Sequence, residues 1–223
     1  LVRERLNVPS VFMYGGSIMP GKHHGHDVTV LDVFEAVGQH AAGNMSDEEL
    51  DELERHACPG AGACGGQFTA NTMACVSEMI GLALPFSAGA PAPNETRDDY
   101  AVASGKAVVE LIRRNLRPRD IVTLDALHNA AAIVGATGGS TNAALHLPAM
   151  AHEAGIRFTL QDVAEIMRKT PHIADLKPGG KYVAADVFRI GGVPVIIKAL
   201  LDGGYVRGDC LTVTGKTLAE NHR

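Results

Sequence analysis

CPGAGACGGQFTANTMACVSEMIGLALP, residues 58 to 85, joins a glycine-rich loop to an apolar helix. Glycine and proline exclude regular structure from Cys58 to Gly66, so the sequence predicts a loop there. After the loop, apolar residues recur every three or four positions, at Met73, Val76, Ile80 and Leu84. This period predicts a helix of roughly four turns that ends near Pro85 and points its amino end at the loop.

Cys64, within the loop, has the chemistry of an iron-sulfur ligand. A thiolate is a soft ligand, and a glycine loop lets backbone amides point at cluster sulfides. The partly positive amino end of the following helix also lowers the pKa of a nearby thiol. A small buried cysteine in a tight turn fits the same spacing, so the residues alone leave both interpretations open. Cys75, on the helix, is predicted to be a core side chain.

The residues before the loop predict one strand and two helices. Ser10 to Tyr14 is a short apolar run closed by two glycines, which is typical of a buried strand. A single helical face carries the next apolar residues, which are Val30, Val33, Phe34, Val37 and Ala41. Gly43 ends that helix, and Ser46 with Glu49 forms a capping box that starts a second helix, running to about His56.

The carboxyl side of the chain predicts further helices, with ends at capping residues and glycines. The predicted spans are Tyr100 to Leu116, Ala126 to Val134, Ser140 to Ala154, a helix from Thr159, and Val193 to Leu201. At one helix start, the backbone amides of Gly139, Ser140 and Thr141 can hold a substrate carboxylate. A tight turn between two helices fits this segment equally well, and no lysine follows the glycines as a Walker motif requires.

Composition indicates a globular protein that works in a reducing compartment. The chain has 223 residues, of which 46% are hydrophobic, and its net charge of -5 gives no general attraction for nucleic acid. No apolar run approaches the ~18 residues of a membrane span, and no leader segment is recognisable. Four cysteines in this pattern do not resemble the disulfide framework of a small secreted domain, so we expect a cytoplasmic protein.

The fold expected from these patterns is a single, incomplete α/β domain. We predict a helix-rich layered domain with a small, mainly parallel sheet, because helices dominate and no linker or repeat divides the chain. The opening residues from Leu1 read as the end of a helix, so the chain is expected to begin inside a domain. His23, His24 and His26 lie in a polar glycine turn, where a solvated cluster is favoured over a set of metal ligands.

Several long segments in the same order resemble the dihydroxy-acid dehydratase family. These are LNVPSVFMYGGSIMPGK, DVFEAVGQHAAG, the Cys58 to Pro85 segment and GGSTNAALHLPAMAHEAGI. The resemblance implies that residues 1–223 are part of a single N-terminal dehydratase domain. It also implies that Cys64 is a cluster ligand, whereas Cys58 is not. Phe86 departs from the family pattern, which usually has glycine after the Leu-Pro pair.

The resemblance implies an activity and its cofactors. The expected reaction removes water from 2,3-dihydroxy-3-methylbutanoate and its methylpentanoate homologue, giving the 2-oxo acids used to make valine and isoleucine. The expected cofactors are an iron-sulfur cluster, of 2Fe-2S or 4Fe-4S type, and Mg²⁺, whose ligands lie outside these residues. The family also implies a bacterial cytoplasmic enzyme that is a homodimer when full length. A cluster needs about three or four ligands, so this chain alone is expected to be inactive.

Three other interpretations remain open at this stage. A sugar-acid dehydratase of the same superfamily shares the cluster and differs in its pocket. A non-catalytic domain can use Cys58, Cys64 and a histidine as a small structural zinc site. A scaffold or truncated gene product fits the absence of the family's other ligand motifs.

Overall fold

The computed structural model describes residues 1–223, which form a predominantly helical protein with one small sheet. The helices are α1 Val2–Leu6, α2 Val30–Ala41, α3 Asp47–Ala57, α4 Thr69–Met79, α5 Thr96–Arg114, α6 Pro118–Ile121, α7 Leu124–Ala136, α8 Ala143–Ala154, α9 Leu160–Lys169, α10 Ala184–Arg189, α11 Val193–Asp202 and α12 Leu218–Asn221. The strands are β1 Gly21–His23 and β2 His26–Val28. None of the helices is both long and apolar enough to cross a membrane.

Helix α7 lies at the centre of the fold and packs against α4, α8, α9 and α11. Its sequence, LDALHNAAAIVGA, is rich in alanine, which allows neighbouring helices to approach closely. At Gly135, an added Cβ would come within 3.3 Å of Met167 Cα on α9. Residues on all sides of α7 are therefore buried, and this helix organises the main hydrophobic core.

The sheet corrects the predicted topology, because it is antiparallel and has only two strands. Gly21 pairs with Val28 and His23 pairs with His26, so a two-residue turn joins the strands. A connection this short can only join antiparallel neighbours, since a parallel pair needs a long crossover. Parallel pairing occurs only as single bridges, at Phe12 with Ala83, Ser17 with Ala63 and Leu176 with Tyr182. The prediction of a mainly parallel sheet was wrong.

The predicted strand from Ser10 to Tyr14 was also wrong, since only Phe12 forms a bridge. The Phe12 amide donates to the Leu82 carbonyl at 2.7 Å, and the chain then turns away. At Gly16, with φ +98, a Cβ would lie 2.5 Å from the amide nitrogen of Ala92. The backbone at Ala92 passes so close to Gly16 that only glycine fits there. The chain therefore leaves the Phe12–Ala83 bridge before a strand can form.

Most predicted helices are confirmed, and the capping residues set their ends. Ser46 accepts a hydrogen bond from the Glu49 amide at 3.2 Å, and Gly155 ends α8 in the left-handed conformation at φ 77. Helix α4 is shorter than predicted, because Gly81 takes φ +90 and leaves no room for a side chain beside Thr212. Helix α8 begins at Ala143 instead of Ser140.

Helices α2 and α3 and the β-hairpin form a separate peripheral unit, which we call the hairpin unit (residues 21–57). Helix α3 packs against α2 and β1. The unit has its own small cluster of buried side chains, which are Val28, Ala36, Leu53 and Ala57. The predicted apolar face of α2 is largely uncovered, since Phe34 is 65% exposed and Val37 is 47% exposed. The cysteine loop follows this unit directly and leads into α4 of the main core.

Candidate functional site

The loop that carries Cys64 is held between two other segments of the chain. On one side, the Ala63 amide donates to the Gly16 carbonyl and the Ile18 amide donates to the Ala63 carbonyl, both at 2.9 Å. On the other side, the Ala184 amide donates to the Gly65 carbonyl at 2.8 Å. The loop is therefore fixed on both flanks, although it contains no regular structure.

Two glycines of this loop are required by close backbone contacts. A Cβ on Gly62 would lie 2.4 Å from the amide nitrogen of Ile18, and Gly62 has φ +140. A Cβ on Gly66 would lie 2.7 Å from the carbonyl oxygen of Lys177. Side chains at these positions would push the neighbouring segments apart, so the glycines allow the tight enclosure of Cys64.

Asn71, in the first turn of α4, determines the orientation of the loop. Its side-chain amide donates to the Cys64 carbonyl at 2.7 Å and to the Gly66 carbonyl at 2.6 Å. Its oxygen accepts from the Tyr14 hydroxyl at 2.6 Å. Burial raises the pKa of Tyr14, and the nearby Cys64 and Cys75 act in the same direction, so the phenol stays protonated as a donor. The side-chain nitrogen and oxygen of Asn71 and the hydroxyl of Tyr14 therefore all have hydrogen-bond partners, as buried polar atoms require.

The backbone amides around Cys64 are free to donate to a ligand. In a trans peptide the carbonyl and the amide point in opposite directions, so the bond from Asn71 to the Cys64 carbonyl turns the Gly65 amide away from Asn71. The amides of Cys64, Gly65 and Gly66 donate to no other protein atom. Cys64 itself is half-buried and has a free thiol. Free amides and the amino end of α4 make the surroundings of this thiol favourable for negative charge.

The other cysteines have different environments. Cys75 is buried, as predicted, and its sulfur accepts a hydrogen bond from the Gln67 side chain at 3.5 Å. Burial raises the pKa of Cys75 to about 12 and that of Cys210 to about 11, so both thiols are neutral near pH 7. Cys58 is exposed, at the end of α3. Cys64 is thus the one half-buried thiol beside unpaired amides.

The second predicted segment, Gly139 to Thr141, lies against the same end of α4. The Ser140 amide donates to the Thr72 hydroxyl at 2.9 Å, and the Ser140 and Thr69 hydroxyls lie 3.1 Å apart. The Asn142 side chain also donates to the Thr69 hydroxyl, at 2.7 Å. The structure therefore brings the two segments to one place, although they are far apart in the sequence.

Of the backbone amides of Gly139, Ser140 and Thr141, which were predicted to bind a substrate carboxylate, two already donate within the chain. The Gly139 amide donates to the Val134 carbonyl at 2.9 Å, and the Ser140 amide donates to Thr72. The Thr141 amide has no acceptor in the chain, and Thr141 is exposed. Of the three residues proposed to bind substrate, Thr141 has the amide that remains available.

Sequence reasoning missed the polar residues that support both segments. Asn71, Thr69 and Thr72 lie in the first turn of α4, and each bonds to a loop on which the site depends. The pair of Lys177 and Asp32, with Nζ and Oδ2 3.1 Å apart, lies next to the loop as well. The two threonines are three residues apart, a spacing that places both on one helical face and could have identified them.

Comparison with known protein sequences matches this chain to dehydratases of one family. A sequence model of the family described as dihydroxy-acid/6-phosphogluconate dehydratase, N-terminal, matches residues 2–221. The chain is similar to a dihydroxy-acid dehydratase of Parvibaculum lavamentivorans, with 73% identity over 217 residues. A dihydroxy-acid dehydratase of Pelagibacter ubique is 70% identical over 217 residues, and a dihydroxy-acid dehydratase 2 of Corynebacterium efficiens is 57% identical over 226 residues.

The matched region covers nearly all of this chain but a smaller part of each relative. It includes 97% of the chain and 38% of the Parvibaculum and Pelagibacter proteins, and 99% of the chain and 40% of the Corynebacterium protein. The chain therefore spans well under half the length of the curated relatives that it matches.

Proposed function

This chain belongs to the dihydroxy-acid/6-phosphogluconate dehydratase family, and we propose that the complete protein is a hydro-lyase that removes water from a 2,3-dihydroxy acid. In this proposal, residues 1–223 form part of one N-terminal domain. The observation that carries it is the meeting of the Cys64 loop and the Gly139 to Thr141 segment at the amino end of α4.

Cys64 is the residue that would hold an iron-sulfur cluster. The donor set fits such a group, because a half-buried thiol lies beside unpaired backbone amides and a helix amino end. One thiolate supplies one ligand, so the remaining ligands would come from other parts of the complete protein, as would those of Mg²⁺. When bound, the cluster supplies a Lewis acid for the leaving hydroxyl group, and Mg²⁺ neutralises the carboxylate of the substrate.

The residues of this chain have positioning roles in the proposed reaction. Asn71 and Tyr14 fix the orientation of the Cys64 carbonyl, and with it the conformation of the loop beside the thiol. The glycines allow the neighbouring backbones to pack directly against the loop. The free amide of Thr141 can donate to a substrate carboxylate at the same helix end. In this proposal the chain contributes one cluster ligand and the groups that position it. The acid-base groups come from other parts of the complete protein.

We further propose the substrates, the cellular location and the oligomeric state of the complete protein. The relatives are named dihydroxy-acid dehydratases, and the resemblance of the sequence to that family favours 2,3-dihydroxy-3-methylbutanoate and the methylpentanoate homologue, which lead to valine and isoleucine. A bacterial cytoplasmic homodimer, with a cluster of 2Fe-2S or 4Fe-4S type, is part of the same proposal. Comparing turnover of these acids with that of a sugar acid such as 6-phosphogluconate, on the complete protein, tests the substrate. Faster turnover of the sugar acid would favour the other branch of the family.

The ligand assignment is tested by anaerobic reconstitution of the complete protein with iron and sulfide. Cys64→Ser is expected to lose most of the visible absorbance and bound iron, whereas Cys58→Ser, at an exposed thiol of the same loop, is expected to keep both. Circular dichroism checks that both variants fold. A full cluster in Cys64→Ser would refute the assignment, and bound zinc without iron or sulfide would favour a structural metal site.

A further inference from the structure

The β-hairpin and α3 bring several metal-ligating side chains together, and we propose that His23, His24 and Glu52 bind a divalent transition-metal ion of the Zn²⁺ type. One ligand atom from each residue, two imidazole nitrogens and a carboxylate oxygen, lies within 4.8 Å of the others. The residues belong to the hairpin unit, outside the Cys64 site, so the inference does not depend on the dehydratase proposal.

Backbone geometry creates this cluster. The turn between the strands contains His24 at φ 49 and Gly25 at φ 81, which are the left-handed conformations of a tight hairpin turn. At Gly21, a Cβ would lie 1.6 Å from the His56 carbonyl oxygen, so only glycine lets β1 lie so close to the end of α3. The hairpin therefore packs closely against the helix, and His23 and His24 lie near the helical face that carries Glu52.

His23 has an unsatisfied nitrogen that points to a missing partner. Its Nε2 is buried and has no hydrogen-bond partner. The nearest carboxylate oxygen, of Glu52, is 3.8 Å away, which is too far for a hydrogen bond. A buried polar atom without a partner costs about 1–3 kcal/mol, and a ligand bound to the atom would remove that cost. A metal ion between His23 and Glu52 would satisfy both groups.

His56 lies next to the proposed ligands, on the same helix as Glu52. Its Nδ1 lies 2.7 Å from the Glu52 carbonyl oxygen, and because a carbonyl can only accept, Nδ1 carries the proton. The lone pair of Nε2 is therefore free in the neutral ring. The His56 and His23 ring centroids are 5.8 Å apart, and Glu52 and His56 are one helical turn apart on α3. His56 is thus placed beside the three proposed ligands, outside the cluster that they form.

The donor types select the class of metal. Imidazole with one carboxylate suits Zn²⁺, Ni²⁺ and Cu²⁺, whereas Mg²⁺ and Ca²⁺ prefer oxygen alone. Ligand atoms in a tetrahedral zinc site are about 3.3 Å apart. His24 and Glu52 are exposed, so their side chains can rotate to close the remaining gap. The ion would join the hairpin to α3 and stabilise a unit that has only a small core.

The test is a Zn²⁺ titration of this chain by calorimetry, in a Cys58→Ser, Cys64→Ser background that removes competing thiolates. We expect one ion per chain and a rise in melting temperature with Zn²⁺. His23→Ala and Glu52→Gln should each weaken binding by about tenfold or more, since each removes a ligand. His26→Ala, on the same hairpin but outside the cluster, should bind as the parent does.

Co²⁺ provides a second readout, since a tetrahedral site gives visible bands that a non-specific surface ion does not. These bands should be present in the parent and in His26→Ala, and should be lost in His23→Ala. Glu52 is exposed, so Glu52→Gln keeps the test valid if His23→Ala fails to fold. Absence of saturable binding, or equal weakening by His26→Ala and Glu52→Gln, would overturn the proposal.

Discussion

The main core around α7 and the hairpin unit differ in how they are held together. The main core contains 30 buried hydrophobic residues, whereas the cluster of the hairpin unit contains 4. Stability from apolar burial follows the area removed from water, so the main core should unfold as a cooperative block and the hairpin unit more readily. Helix caps, such as Thr29 with Asp32 and Ser46 with Glu49, therefore matter more in the hairpin unit.

This difference bears on the site because the cysteine loop connects the two regions. Cys58 follows α3 directly, and Phe68 precedes α4. Asn71 anchors the loop to the main core through two hydrogen bonds, and Lys177 forms an ion pair with Asp32 of the hairpin unit. The loop is thus held to the main core by hydrogen bonds of Asn71 and lies beside the one ion pair that reaches the hairpin unit from Lys177.

The largest expected effect compares two leucines. Leu127→Ala, at a fully buried position in α7, should lower the free energy of unfolding by about 3–5 kcal/mol, because the surrounding helices cannot close the cavity. Leu53→Ala, in the hairpin unit, should cost about 2 kcal/mol, since a small peripheral cluster relaxes more easily. Denaturant unfolding followed by circular dichroism measures both, and hydrogen exchange locates the change.

Leu145→Ala is the matched control, because Leu145 is 69% exposed and its truncation should change little. In Leu53→Ala, faster exchange should be confined to residues 21–57. An equal loss of stability in Leu127→Ala and Leu53→Ala, with exchange rising everywhere, would show that the two regions form one cooperative unit.

The second effect is a pH dependence of opposite sign in the two regions. Burial raises the pKa of Glu78, in α4, from 4.5 to about 7, although the Phe86 and Ala88 amides donate to its carboxylate. The folded state therefore holds this proton more tightly than the unfolded state. The contribution of Glu78 to stability should therefore be greatest below pH 4.5 and should fall by on the order of 3 kcal/mol as the pH rises through 7.

Asp32, in the hairpin unit, should behave in the reverse way. Burial opposes its ionisation, but hydrogen bonds from Thr29 and Lys177 outweigh burial and lower its pKa below 3.8. Its contribution is present above pH 3.8 and is lost as the pH falls through the lowered value.

Unfolding at pH 5 and pH 8 isolates the contribution of Glu78, because that of Asp32 is constant above pH 3.8. Glu78→Gln should remove most of the loss between the two pH values, whereas Glu54→Gln, at an exposed position, should keep it. The side-chain amide introduced by Glu78→Gln also places a donor opposite the Ala88 amide, so the slope with pH is the decisive measurement, not the absolute stability. An unchanged slope in Glu78→Gln would contradict the raised pKa.

The helices could be predicted from the sequence because their determinants are local. The helix Val30–Ala41 was predicted from its apolar period, with its end before Gly43, and Ser46 and Thr159 identified two later helix starts through their side-chain caps. The end of α8 at Gly155 could be predicted for an equally local reason, because glycine readily adopts the positive φ found there. Cys64, Ser140 and Thr141 could be selected as candidates because their segments have unusual glycine content.

Long-range contacts could not be predicted in this way. The apolar period of α2 does not indicate that Phe34 remains exposed, since burial depends on what packs against the helix. The role of Asn71 depends on three partners, Tyr14, Cys64 and Gly66, brought together only by folding. Ser140 was predicted as a helix cap, but it bonds to Thr69 across the site, and α8 starts later.

The smallest expected effect lies in the turn that follows α4 in the main core. Phe86 has φ 71, a left-handed conformation that costs a side-chain residue about 1 kcal/mol or more, and it is 49% exposed. Phe86→Gly should therefore stabilise the chain by about 0.5 kcal/mol, after the higher chain entropy of unfolded glycine is subtracted. Phe86→Ala loses the same ring but keeps Cβ, so it should show no gain. Denaturant midpoints distinguish them, and an alanine variant as stable as the glycine variant would show that the ring, not the backbone, sets the cost at this turn.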